Sequence, residues 1–159
     1  MNQELYNFYS ELDSDCEGRM FHDLLAMSNE SLEATHDVIQ WLFPLDEASS
    51  TNKKAPVLDK DTIRKIIASP DCMHNLKDAA HRFYNFYKLE NARVKPFWIS
   101  PNNHNYLRIT RILRSLKIFG LDSLAQDLYD LVEECQKVFP VDISEKTLGF
   151  WKKAMRAAV

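Results

Sequence analysis

The stretch from Leu32 to Leu45, LEATHDVIQWLFPL, constrains the fold more than any other part of the sequence. At helical spacing, one face of this stretch carries three apolar residues and a histidine, namely Leu32, His36, Ile39 and Phe43. Trp41 projects from nearly the opposite side. A surface helix has a single apolar stripe, so apolar groups on two sides predict a helix that its neighbours enclose. Pro44 ends it, because the residue before a proline is displaced from helical geometry.

A second stretch, Asn105 to Leu121 (NYLRITRILRSLKIFGL), has the same character. One face is formed by branched apolar residues, namely Ile109, Ile112, Leu113 and Leu116. Leu107 and Ile118 lie on the opposite side, so this helix is also predicted to be enclosed. Gly120 is placed to end the helix in the left-handed conformation.

Helical periodicity covers most of the remaining chain, and there is no internal repeat. The sequence contains only three glycines, which argues against a turn-rich β fold. We therefore predict an all-α fold, a single domain over residues 1–159. It should be a bundle of about seven helices, with helices 30–43 and 104–119 at its centre. Polar residues 46–56 and the proline-containing residues 94–103 are predicted loops.

Composition and cysteine usage indicate a soluble protein of a reducing compartment. No apolar run approaches the ~18 residues of a spanning helix, and the N-terminus lacks the pattern of a signal peptide. Cys16, Cys72 and Cys135 are an odd number without a CxxC pair, which favours a cytoplasmic protein without disulfides. A net charge of −3 gives no general attraction to nucleic acid or to acidic membranes.

The spacing carboxylate-x-x-His occurs three times, at Glu33/His36, Asp71/His74 and Asp78/His81. Glutamate and histidine at this spacing on two bundle helices is a di-iron pattern. The last two pairs, however, lie well round from the apolar face of their helix, where they are expected to be solvated surface charges. We therefore predict no metal and no cofactor. Motifs of hydrolases, nucleotide-binding proteins and zinc proteases are absent from the sequence.

Two segments of the sequence are HDVIQWLFPL, from His36 to Leu45, and HNYLRITRILRSL, from His104 to Leu116. They resemble the conserved N-terminal domain of the opioid growth factor receptor family. We call them the first and second signature segments. The resemblance implies an all-helical domain and, for animal members associated with the nucleus and its envelope, binding of a small enkephalin peptide. This chain resembles the short members that consist of the domain alone. No catalytic residues are implied.

The polar and aromatic members of the signature segments are the candidate ligand-binding residues: His36, Gln40, Trp41, Asn105, Arg108 and Arg111. His36 is interpreted either as a core histidine with both nitrogens satisfied or, with Gln40, as a polar anchor at the floor of a pocket. Arg108 and Arg111 either pair with carboxylates such as Glu33, Asp37 or those of residues 127–134, or bind an anionic ligand.

The leading hypothesis is a non-enzymatic binding module for a short peptide or another protein. One alternative is an enzyme that uses His36 as acid or base while Arg108 and Arg111 hold an anionic substrate. Another is an oligomeric structural protein with Phe97, Trp98 and residues 46–56 as its contact surface. Nucleic-acid binding is disfavoured, because the helix after the basic second segment is acidic throughout.

Overall fold

The computed structural model describes residues 1–91 and 94–156. Within these residues all regular secondary structure is helical, and one isolated bridge joins Leu45 to Val57. The helices are, in chain order, α1 (Gln3–Tyr9), α2 (Phe21–Leu25), α3 (Asn29–Ala34), α4 (Val38–Leu42), α5 (Lys60–Ile67), α6 (Pro70–Tyr87), α7 (Asn105–Ile118), α8 (Asp122–Val138) and α9 (Glu145–Met155). The prediction of an all-α fold is confirmed.

The chain groups into two compact units, unit 1 (Met1–Arg82) and unit 2 (Phe83–Val159), and the boundary falls inside α6. That the whole chain is one domain stays a prediction. Among the helices described, none combines the length and the apolar content that a bilayer crossing requires.

Local side-chain chemistry explains where several helices begin and end. Ser28, Asp59 and Ser144 each accept a hydrogen bond from a backbone N–H in the first turn of α3, α5 and α9. Gly120 follows α7 with a φ of 74°, a conformation that glycine adopts without a steric penalty. These helix boundaries therefore follow from residues that the sequence alone identifies.

The predicted continuous helix over residues 30–43 is wrong. The chain forms two short helices, because α3 ends at Ala34 and α4 begins at Val38. Thr35 is extended, with φ −104° and ψ 96°, and the Asp37 carboxylate accepts two hydrogen bonds from the Arg19 guanidinium at 3.1 and 2.9 Å. A β-branched residue and an aspartate bound outside the helix both favour a break here. The split also adds one helix to the expected number.

Trp41 is nevertheless enclosed in unit 1, as predicted. Its side chain is only 3% exposed, and its ring centroid lies 5.2 Å from that of Phe8. Phe8 also packs against Phe21, at 5.3 Å, and the hydroxyl of Tyr9 donates a hydrogen bond to the carbonyl of Leu42. Aromatic rings from α1, α2 and α4 thus build this core.

In unit 2, α7 packs against both α8 and α9. Its buried face consists of the predicted residues Ile109, Ile112, Leu113 and Leu116. Trp151 of α9 is fully buried, and its indole N–H donates to the carbonyl of Tyr106 at 3.1 Å. The expectation that α7 is a central helix is confirmed within unit 2.

Two burial predictions in unit 2 are wrong. Leu107 is 76% exposed, so α7 is uncovered at this position of its second apolar side, whereas Ile118 is half-buried. Trp98 is fully buried rather than available as a contact residue, because its ring packs edge-on against Tyr87, with centroids 5.1 Å apart. Phe97, its neighbour in the chain, is exposed as expected.

We predict that Trp41→Ala lowers the free energy of unfolding by about 3–5 kcal/mol, because it leaves a large cavity beside Phe8. Leu107→Ala is the control and should change stability by less than about 0.5 kcal/mol, since that side chain is mostly in water. Urea unfolding followed by circular dichroism measures both. A cost near zero for Trp41→Ala would contradict its place in the core.

Candidate functional site

His36 of the first signature segment lies in the turn between α3 and α4, and its side chain is exposed. The prediction that it lies on one enclosed helix face with Leu32, Ile39 and Phe43 is therefore wrong. That prediction required an unbroken helix, and the break at residues 35–37 turns the imidazole outward from this apolar face. His36 is therefore neither a core histidine nor a residue at the floor of an enclosed pocket.

Gln40 fastens the polar loop 46–56 to α4. Its side-chain oxygen accepts a hydrogen bond from the Asn52 amide at 2.5 Å, and its side-chain nitrogen donates to the Ser49 hydroxyl at 3.4 Å. Both ends of the half-buried amide thus have partners within unit 1. This arrangement gives Gln40 a structural task that its position in the sequence did not indicate.

Asp15, Arg19 and Asp37 form an ionic cluster that the sequence analysis missed. The Asp15 side chain is fully buried, and its Oδ2 lies 2.6 Å from Nε of Arg19. Burial lowers the pKa of Arg19, but its hydrogen bonds to Asp37 and Asp15 outweigh this and raise the pKa above its ordinary value. The only sequence signal was the i, i+4 spacing of Asp15 and Arg19. The cluster holds the chain before α2 against the start of α4.

A polar network surrounds the start of α7, in the second signature segment. Asn105 is fully buried; its side-chain oxygen accepts from the Tyr87 hydroxyl, and its side-chain nitrogen donates to Oδ1 of Asn103, both at 2.9 Å. The Tyr106 hydroxyl accepts from the N–H of Ser100 at 3.2 Å and donates to its carbonyl at 2.7 Å. Burial raises the pKa of Tyr106. These bonds fix residues 100–106 rather than presenting polar groups to a ligand.

His104, Arg108 and Arg111 follow one another at helical spacing, as predicted, but they differ in burial. Arg108 is only 5% exposed, Arg111 is half-buried and His104 is exposed. The chain itself supplies interaction partners to all three. One of the predicted partners for the arginines, Asp37, is bound by Arg19.

The side of α7 that faces away from its buried residues carries alternating apolar and cationic groups. They are spaced i, i+4, i+7 and i+11 and are Leu107, Arg111, Arg114 and Ile118. Leu107 is well exposed and the other three are half-buried. We call this set the open stripe of α7. An arginine beside an apolar side chain can bind a carboxylate and an adjacent hydrophobic group together.

A second cluster missed by the sequence analysis joins two histidines and two carboxylates in unit 1. His22 lies 2.5 Å from the Glu11 carboxylate and 3.5 Å from Asp78, and His74 lies 3.3 Å from the same Asp78 oxygen. Desolvation lowers the pKa of His22, but hydrogen bonds to Glu11 and Asp78 raise it above 6.5 overall. Because His22 and Asp78 are far apart in sequence, no local pattern predicts their contact.

No group of three or more His, Cys, Asp or Glu side chains in the described part of the chain has the arrangement of a metal site.

The helix pattern and the two signature segments together define the class of protein, an all-helical domain. The chain belongs to the opioid growth factor receptor family, because residues 2–158 match its model, described as the opioid growth factor receptor (OGFr) conserved region.

Individual relatives agree with this assignment. Opioid growth factor receptor-like protein 1 of Xenopus tropicalis is 31% identical over 114 residues, which are 64% of this chain and 22% of the relative. The opioid growth factor receptor of Rattus norvegicus is 30% identical over 121 residues, 66% of this chain and 21% of the relative. The chain thus spans about a fifth of these curated relatives. No solved structure matches it.

We predict that the contribution of His22 to stability is fully present below the ordinary histidine pKa of about 6.5 and is lost as the pH rises through the raised folded-state pKa. His22→Gln should remove this part of the pH dependence of unfolding. His81→Gln is the matched control, because His81 is exposed and makes no ion pair in the residues described. Identical pH profiles for His22→Gln and the parent protein would contradict the prediction.

We expect Asn105→Ala to destabilise the protein by about 1–3 kcal/mol, because it leaves the buried hydroxyl of Tyr87 without its acceptor. Adding Tyr87→Phe to this variant should cost less than Tyr87→Phe does in the parent protein, since the two groups share one bond. Asn85→Ala, at an exposed position of α6, is the control. Additive effects in denaturant unfolding would show that the two side chains are not coupled.

Proposed function

We propose that this chain is a non-enzymatic binding domain that recognises a short peptide, or a short segment of a partner protein, through the open stripe of α7. The single observation that supports this most is membership of the opioid growth factor receptor family. Its relative in Rattus norvegicus is named as the receptor of a growth factor, and receptors act by binding.

The open stripe has the chemistry that a short peptide requires. Arg111 and Arg114 carry guanidinium groups, which match a terminal carboxylate in charge and in planar geometry. Leu107, 76% exposed, lies one turn before Arg111 and would bury apolar area against a side chain of the ligand. The peptide is proposed to lie along α7, with its carboxylate at the arginines and an apolar side chain over Leu107.

The other predicted site residues are assigned supporting roles in this proposal. Asn105 and Arg108 are buried in α7 and would position the helix rather than contact the peptide. Trp41 is a core residue of unit 1, and Gln40 holds the neighbouring loop. Arg111 is therefore the member of the predicted set that we retain as a direct ligand-binding residue.

We assign the domain to the cytoplasm, where its free cysteines Cys16, Cys72 and Cys135 would stay reduced.

The two alternative functions receive less support. An enzyme with His36 as acid or base would need Arg108 at a substrate, yet this arginine is only 5% exposed. An oligomer that uses Trp98 as a contact residue conflicts with the complete burial of that side chain.

Titration with an enkephalin peptide, followed by amide chemical shifts and calorimetry, tests the proposed function. Binding should shift the amide resonances around Leu107, Arg111 and Arg114. Amidating the peptide terminus should weaken binding about tenfold or more, because a hydrogen bond to a charged group is worth about 1.5–3 kcal/mol. Arg111→Gln should produce a similar loss with the free carboxylate and little further loss with the amidated peptide.

Lys77→Gln is the matched control, since it removes one exposed positive charge from α6 without changing the open stripe. It should leave the affinity within about twofold, as expected for a solvated charge outside the stripe. A peptide that produces no heat and no shift changes would overturn the peptide form of the proposal. Equal affinity for free and amidated peptides would overturn the role of the arginines.

A further inference from the structure

α8 and α9 form an antiparallel pair in unit 2. Near the turn between them, the Gln136 amide donates to the carbonyl of Ile143 at 3.3 Å and to the Glu145 carboxylate at 3.5 Å. At the other end, Arg156 is close enough to Tyr129 to act electrostatically on its hydroxyl. The C-terminal end of α8 therefore lies beside the N-terminal end of α9, and the C-terminal end of α9 lies beside the middle of α8.

The exposed side of α9 is basic. Lys146, Gly149, Lys153 and Arg156 are spaced i, i+3, i+7 and i+10, so they lie on one stripe, and all four are exposed. None of the three cations makes an ion pair in the part of the chain that the structure describes. We call this set the basic stripe.

The exposed side of α8 is acidic over the same length. Asp127, Asp130 and Glu134 are spaced i, i+3 and i+7 and are exposed. Within residues 1–91 and 94–156 these carboxylates also have no cationic partner; Asp130 accepts only a hydrogen bond from Gln126, at 2.7 Å. We call them the acidic stripe. The distance from Asp127 to Glu134, and likewise from Lys146 to Lys153, is about 10 Å along the helix, at 1.5 Å rise per residue.

The basic stripe contains a glycine, Gly149, near its centre. It lies in the interior of α9, where glycine is the poorest helix former after proline. A Cβ atom added there would meet nothing within 4 Å, and its backbone has an ordinary helical φ. Neither packing inside the chain nor backbone conformation therefore requires a glycine. A missing side chain at the centre of a charged, exposed stripe allows another backbone to approach closely.

We propose that two copies of this chain associate through their α8–α9 pairs, with the basic stripe of each copy against the acidic stripe of the other. An antiparallel pair with one acidic and one basic helix is complementary to itself under two-fold rotation, so both contacts form at once. In this arrangement, Gly149 of α9 in one copy lies where that helix comes closest to the α8 backbone of the other copy. The ion pairs are solvent-exposed, so the association is expected to be weak and sensitive to salt.

A second copy fits this surface better than other anionic partners. A nucleic acid or an acidic membrane would meet the basic stripe but would be repelled by the neighbouring carboxylates of α8. A second copy presents both signs on adjacent antiparallel helices, and the acidic stripe matches the part of the basic stripe from Lys146 to Lys153 in length. Charge complementarity therefore selects the chain itself as the partner.

Sedimentation equilibrium of the full chain over a range of concentrations tests the proposal. At about 0.02 M salt we expect a dimer at high protein concentration, and at about 0.5 M salt an association constant at least about tenfold lower. Gly149→Leu should lower that constant at least about tenfold without lowering the melting temperature, because leucine favours the helix. A monomer at every concentration and both salt levels would overturn the proposal.

Charge exchange gives the sharper arm of the experiment. Lys146→Glu with Lys153→Glu makes both stripes acidic, and Asp127→Lys with Glu134→Lys makes both basic, so each double variant alone should be monomeric. An equimolar mixture of the two should form a mixed dimer, because each acidic stripe again meets a basic one. Self-association of either double variant as strong as that of the parent chain would show that the stripes are not the interface. Binding of single-stranded DNA by the parent chain without dimerisation would identify a different partner and would equally overturn the inference.

Discussion

The pairing of one guanidinium, that of Arg19, with two carboxylates determines how the first half of the molecule is organised. Asp15 is buried with its charge, so it requires a cation close by, and Arg19 is that cation. The remaining two nitrogens of the same guanidinium hold Asp37 in a forked arrangement at the start of α4. This fork lies at the break between α3 and α4, where Thr35 is extended. Trp41 enters the aromatic core from α4, the short helix that begins directly after Asp37.

In the second half of the molecule, hydrogen bonds of buried polar side chains fix how the helices pack. Asn105 joins the end of α6, through Tyr87, to the turn that starts α7, and Trp151 ties α9 to the same turn of α7 through its indole N–H. A buried polar group is stabilising only when its hydrogen bonds are complete, so these bonds specify one register between the helices. In both signature segments, most of the polar residues therefore serve the fold.

The sequence predicts those features that depend on neighbours in the chain. The caps at Ser28, Asp59 and Ser144 need only local chemistry, and the predicted helix end at Gly120 is confirmed. The burial of Trp41 was also correct, although the continuous helix assumed for it was not. The Arg19–Asp37 pair at the break joins residues 18 positions apart, and the His22 cluster depends on a contact across 56 residues. Periodicity carries no information about such contacts.

The free-energy cost of breaking existing hydrogen bonds separates candidate ligand contacts from structural residues. A ligand that used the amides of Asn105 or Gln40 would first have to break existing hydrogen bonds, at a cost of about 1–3 kcal/mol for each group left unpaired. Leu107 presents the opposite case, because its exposed side chain gains free energy when covered, about 25 cal/mol for each Å² of apolar area. A ligand therefore binds with least cost where the chain leaves an apolar group in water beside a cation. Within unit 2 Leu107 is such an exposed apolar group, one turn before Arg111, on the outer side of the helix whose inner side packs against α8 and α9.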